Sequence, residues 1–239
     1  MADAPFAPAL AHGPLNEVVE GLWAVEGALP NMALNRFMIV WRAPGGGLVL
    51  HSPIRMDDAG MAALEALGRP RWLLVPNEGH RLDVRWFKDR YPEAVVVAPA
   101  NARAKVEEVV AVERACEDAA ADLGVRVHRP DGMRDGYELV YELDLTGGGR
   151  ALVVNDVLSY PKRVPGLGGL VLRALGPAGL RLGIPRIVRF FFGKDMVAFR
   201  GFVARLAETP DLRVVTFSHG QLLTEGCADA LREAAARIR

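Results

Sequence analysis

Several residues able to hold a metal ion or move a proton stand where apolar runs end. The stretch NEGHRLDVRWF (77–87) follows the apolar run 72–75 and carries Glu78, His80 and Asp83 in quick succession. Asp156 closes LVVND, and His219 sits in VVTFSHG. In an open α/β protein, ligands bind in the crevice beyond the carboxyl ends of the strands. Imidazoles and carboxylates both donate to zinc, and an oxygen-rich set also suits manganese or iron. Three such ligands and one open position are enough for a divalent ion that acidifies a water and aims it at an electrophile. The cluster Glu78, His80 and Asp83 is therefore a candidate ligand set, with His51 near it at the end of GLVLH. Asp83 has a second use as the N-cap of the helix that follows. His12 and His128 have no partner spacing and read as structural or surface residues.

Other chemistries lack their signatures. Ser159 and Ser218 are outside any G-x-S-x-G elbow. GLGGLVLRALG (166–176) is rich in glycine, but it follows no clear strand and no Lys-Ser/Thr follows it, so it is not a nucleotide loop. Cys116 and Cys227 lack CxxC spacing and lie in Ala-rich, helical surroundings, as reduced structural thiols do.

The elements that must position these residues follow from periodicity. Short β-rich runs at 22–26, 36–42 and 47–51, the last two joined by APGGG, predict an antiparallel meander. Alternation follows: helices near 57–67 and 83–90, strands at 72–75 and 94–98, and a long helix over about 102–123. The second half predicts strands at 125–128, 137–143, 151–155 and 212–217, with helices near 195–208 and 224–238. Met196, Phe199, Phe202, Val203 and Leu206 share one face of the first of these helices, behind Asp195 as N-cap. Two β-rich halves, each closed by helices, predict an α/β (α+β) arrangement of two sheets packed face to face with helices outside. No linker divides the chain, so a single domain over 1–239 is expected.

With 239 residues, 51% of them hydrophobic, the chain can bury a substantial core. Lys plus Arg and Asp plus Glu number 29 each, which argues against a nucleic-acid binder. The first residues show no basic and apolar leader, and no apolar run is long enough to cross a membrane, so a cytoplasmic location is the expectation. Segment 157–194 departs from this balance: it holds Lys162, Arg163, Arg173, Arg181, Arg186, Arg189 and Lys194 and no acidic residue, among Leu, Val, Phe, Gly and Pro. It reads as an inserted basic and apolar lid over a site. The same composition suits a small anionic substrate or peripheral contact with a membrane surface.

The order of these motifs resembles the metallo-β-lactamase superfamily over nearly the whole chain, from about residue 22 onward. LLVPNEGHRLDV lies on that family's His-x-His-x-Asp-His loop, with Glu78, His80, Leu82 and Asp83 at its four ligand positions. Met133 stands where the third His would be, LVVNDVL puts Asp156 in the bridging-Asp role, and VVTFSHGQLL puts His219 at the last His. GLVLHSPIRM and RWFKDRYPEAVVVAP are similar to an uncharacterised branch of the superfamily in which His-Ser-Pro replaces Asp-Thr-Gly. The resemblance implies a four-layer αββα sandwich. Leu82 cannot coordinate and Met133 replaces the third His, which argues against a two-metal centre. What remains is one divalent metal on Asp156, His219 and either His80 or Asp83, or no metal at all.

Two functions fit. One is a metal-dependent hydrolase of a small anionic ester, thioester or phosphoester, with Asp156, His219 and His80 as catalytic residues and Arg163 and Arg186 holding the substrate's anionic group. The other is a catalytically silent protein that binds an anionic ligand, a membrane surface or a protein partner through the basic segment.

Overall fold

The computed structural model describes residues 6, 8–134, 137–177 and 180–239. Strands β1 (Asn16–Val19), β2 (Leu22–Leu29), β3 (Met32–Arg42) and β4 (Leu48–His51) pair antiparallel as a meander. Strands β5 (Pro70–Leu74), β6 (Val95–Ala98) and β7 (Arg114–Ala115) then add in parallel, giving a sheet in the order β1-β2-β3-β4-β5-β6-β7. Helix α1 (Asp58–Leu67) makes the crossover from β4 to β5, and α2 (Val84–Arg90) that from β5 to β6. Asp57 caps α1 by accepting from the Gly60 N–H at 2.8 Å.

The long helix expected over 102–123 does not form as one element. α3 (Arg103–Val106) is a single turn, and α4 (Cys116–Leu123) starts only after β7. Between them the chain extends along the sheet: Glu113 N–H donates to the Val96 carbonyl at 3.0 Å, and the Glu113 carboxylate accepts from the Val96 N–H at 2.7 Å. Val109 and Val110 still turn back on α3, each N–H donating to the Val106 carbonyl, at 3.0 and 3.1 Å; the β-branched Val112 lies in the extended stretch and is buried there.

The second sheet has the order β11-β10-β9-β8. β8 (Val125–His128), β9 (Val140–Asp144) and β10 (Arg150–Val153) are antiparallel, and β11 (Leu212–Thr216) lies parallel to β10. Between β10 and β11 the chain forms α5 (Gly166–Leu175), α6 (Arg186–Phe192) and α7 (Met196–Leu206); α8 (Cys227–Arg237) follows β11.

Alternation along β3 shows how the layers divide the chain. Phe37, Ile39 and Trp41 face the second sheet, where Tyr141, Leu143, Ala151, Val153 and Val214 meet them. Met38 and Val40 point the other way, into the layer under α1 and α2 with Met61, Leu64, Val84 and Phe87. On the far side of the second sheet, Leu152, Val154 and Val215 pack on Phe199, Phe202 and Val203 of α7 and Leu231 and Ala234 of α8. Helix, sheet, sheet and helix thus form four layers, as the sequence predicts. The Asp195 carboxylate caps α7 through the N–H groups of Val197 and Ala198 at 2.9 and 3.1 Å.

Candidate metal centre

The last residue of β4, His51, and the loops after β4, β5, β10 and β11, with Ser52, His80, Asp156 and His219, lie at the same edge of the sandwich. One donor atom from each of His80, Asp156 and His219 lies within 4.8 Å of the others, and these three form the one possible metal-holding group among the described residues. The His80 Nε2 is 3.2 Å from Asp156 Oδ2, and the His219 Nε2 is 3.2 Å from Asp156 Oδ1. The two imidazole centroids are 5.3 Å apart.

Each of the three is held from behind. Asn35, on β3, clamps the His219 loop: its side chain accepts from the Gly220 N–H and donates to the Gly220 carbonyl, both at 2.9 Å. Its main-chain oxygen meets His219 Nδ1 at 2.6 Å. The loop can approach this closely because residue 220 is glycine at φ +94°, where an added Cβ would stand 2.0 Å from the Tyr160 carbonyl oxygen. Ser52, held at φ +54°, places its hydroxyl 3.0 Å from His80 Nδ1. Glu138 anchors the turn that carries Asp156 by accepting from the N–H groups of Asn155 and Asp156, at 3.2 and 2.7 Å. The Asn77 amide donates to Asp156 Oδ2 at 2.9 Å.

These contacts decide which atoms face inward. A carbonyl oxygen only accepts, so His219 Nδ1 carries a proton toward Asn35. In the neutral ring, Nε2 therefore presents a lone pair to Asp156 Oδ1, a buried atom with no other hydrogen-bond donor among the described residues. Two acceptors facing at this distance repel unless a proton or a cation lies between them. Electrostatics in the protein act in that sense. Burial opposes ionisation of Asp156, but His80 and His219 outweigh it and hold its carboxyl well below the usual carboxylate range. Burial likewise opposes protonation of His219, yet Asp156 and the Asn35 carbonyl raise it above the ordinary imidazole value. Two imidazoles and one carboxylate, with an unpaired oxygen among them, are a donor set that fits a single divalent ion with an open position.

The remaining sequence candidates lie elsewhere. Asp83 is outside the trio: its Oδ2 accepts from the Arg36 guanidinium at 2.6 Å and from the Arg55 N–H at 3.1 Å. Asp83 is thus engaged by Arg36 and Arg55, and the group that converges is His80, Asp156 and His219 without it. Nor does Asp83 cap α2 through its side chain, although it occupies the cap position. Glu78 is exposed, on the rim of a cleft of about 310 Å³ that Asn77, Asn101, Arg134, Tyr137, Asp156 and Phe192 also line. His51 is buried, with both ring nitrogens unpaired, and burial followed by the nearby His80 lowers its pKa to about 3. Leu82 is 49% exposed, and Met133 packs in the core beside α7. Arg186 is not in the cleft lining; it donates to the carbonyls of Arg173 and Ala174 at the end of α5, at 3.1 and 3.2 Å. Arg163 is exposed and likewise absent from the cleft lining.

Asn35, Arg36 and Glu138 carry no motif of their own, and periodicity marks Asn35 and Arg36 only as strand residues; Ser52 and Asn77 lie inside the motifs but are not among the candidate ligands. Their roles follow from partners far away in sequence.

No protein-family model matches the chain, and no curated protein does. Solved structures do. A metallo-β-lactamase from Erythrobacter litoralis, crystallised with β-mercaptoethanol in its active site, superposes with a TM-score of 0.59 at 13% identity, covering 93% of this chain and 95% of that one. The mono-zinc form of the metallo-β-lactamase FIM-1 from Pseudomonas aeruginosa gives 0.57 at 14% identity, with 96% and 97% covered. A metallo-β-lactamase from Pontibacter korlensis gives 0.59 at 10% identity, with 93% and 98% covered. The chain has the metallo-β-lactamase fold over 93–96% of the sequence given.

Proposed function

We propose that the protein is a hydrolase using one divalent metal, held by His80, Asp156 and His219, and acting on a small anionic ester, thioester or phosphoester. One observation supports this above the rest: His80 and His219 both turn Nε2 to the Asp156 carboxylate, at 3.2 Å each, so that donor atoms from three separate loops meet within 4.8 Å of one another. Bound there, a zinc, iron or manganese ion would supply a Lewis acid and an acidified water. Asn35 and Ser52 orient the two imidazoles, and the Asn77 amide holds Asp156 through Oδ2. Tyr137 and Phe192, their rings 4.0 Å apart, wall the adjacent cleft and offer apolar area to the organic part of a substrate. Arg134 is the arginine on that cleft, so it replaces Arg163 and Arg186 as the group that holds the substrate's anionic end.

The test is elemental analysis of freshly purified protein, with a hydrolase screen on anionic esters, thioesters and phosphoesters. About one transition metal per chain is expected, with loss of metal and of any activity found in Asp156→Asn. Metal-free protein that gains no metal on incubation with zinc, iron or manganese would overturn the proposal. Leu82 and Met133, at positions where the family resemblance implies ligands, favour the catalytically silent alternative, which predicts that metal-free outcome together with a salt-sensitive interaction.

A further inference from the structure

The segment between β10 and β11 exposes more apolar area than a solvated lid requires. On α5, Leu167, Leu170 and Val171 are 83%, 59% and 55% exposed; on α6, Ile187, Phe190 and Phe191 are 42%, 80% and 53% exposed. Each trio has the spacing i, i+3, i+4, so each helix turns one apolar stripe outward. The inward sides are already satisfied, since Val188 is buried against the core of the second sheet and Gly169 against the Val164 carbonyl. The start of α6 abuts the end of α5 through Arg186. Met32, at the hairpin between β2 and β3, is 57% exposed, and the neighbouring Ala33 touches α5 at Gly168. Exposed apolar stripes on two abutting helices mark an interaction surface.

The charge around these helices says what it meets. Segment 157–194 has no acidic residue. Among the described residues, Arg163, Arg173, Arg181, Arg186 and Lys194 have no carboxylate partner, whereas most other cations of the protein are paired. Exposed Leu and Phe interleaved with uncompensated Arg and Lys suit an interface that is apolar within and anionic at its surface, the two properties of an acidic lipid bilayer. No helix among the described residues is long and apolar enough to cross a membrane.

We infer that the outward faces of α5 and α6 dock the protein on an anionic bilayer, with Leu167, Leu170, Ile187, Phe190 and Phe191 entering the headgroup boundary and the unpaired cations meeting acidic headgroups. α6 also ends at the candidate metal centre. Phe192 lines the cleft beside Asp156, and its carbonyl accepts from the Arg134 N–H at 2.9 Å, so the docking helix and the cleft share a wall.

The test is flotation of the full chain with vesicles of phosphatidylcholine alone and of phosphatidylcholine mixed with phosphatidylserine, at low and raised salt. Partitioning is expected to the mixed vesicles only, weakening as salt rises. The double variant F190S/F191S and, separately, R181E/K194E should each lower it at least ~10-fold, while circular-dichroism melting stays that of the wild type, since all four side chains point outward. Equal partitioning to both vesicle types would overturn the inference, as would no partitioning to either. So would concentration-dependent self-association lost in F190S/F191S without vesicle binding, which would make the surface an interface between copies.

Discussion

Replacing Asp83 by alanine separates a structural carboxylate from a metal ligand. The Arg36 side chain is 5% exposed and that of Asp83 17%, so Asp83→Ala leaves a guanidinium inside the protein without its counter-charge. Removing one partner of a buried ion pair costs about 3–5 kcal/mol. Arg36 keeps one contact, from Nε to the Ala28 carbonyl at 3.1 Å, and the Arg55 N–H loses the acceptor it had at 3.1 Å. The low end of the range therefore applies, about 3 kcal/mol. For a chain of this size that lowers the melting temperature by about 6–12 °C. Melting is measured on chelator-treated protein, so that bound metal does not add its own stabilisation. Metal content is measured separately on folded protein at low temperature and should be unchanged. Asp83→Asn, which retains an acceptor oxygen, should fall between the two. A melting temperature within about 2 °C of wild type, together with loss of metal, would refute the reasoning and return Asp83 to the ligand set.

Two further substitutions probe residues behind the site. Ser52→Ala removes the hydroxyl at 3.0 Å from His80 Nδ1. It should weaken zinc affinity about 10- to 100-fold, read by competition with a chromophoric chelator, at a stability cost of about 1 kcal/mol; unchanged affinity would show that Ser52 does not orient His80. His51, lowered by burial from an ordinary 6.5 to about 3, resists protonation when folded but takes up a proton freely when unfolded. Its contribution is therefore present above about pH 6.5 and is lost as pH falls toward about 3. Chemical denaturation across that range should show His51→Leu less sensitive to acid than wild type, and parallel curves would count against a neutral buried imidazole.

The sequence by itself determined the layers and the chain's route through them. Phe37, Ile39 and Trp41 alternate with Met38 and Val40, and that period of two assigns the residues to opposite faces of a sheet before any partner is known. The same local regularity places Asp156 and His219 beyond strand ends, where ligand-bearing loops belong. Tertiary structure alone decided which candidates converge. Asp83 looks equal to His80 in the chain, yet Arg36, 47 positions away, claims its carboxylate. The helix expected across 102–123 breaks because Val96 offers Glu113 a strand edge, a competitor that no local window contains. Asn35 orients His219 from 184 positions away. Periodicity records how each residue repeats relative to its neighbours, whereas ion pairs and hydrogen bonds depend on which distant groups the packed sheets bring within about 3 Å.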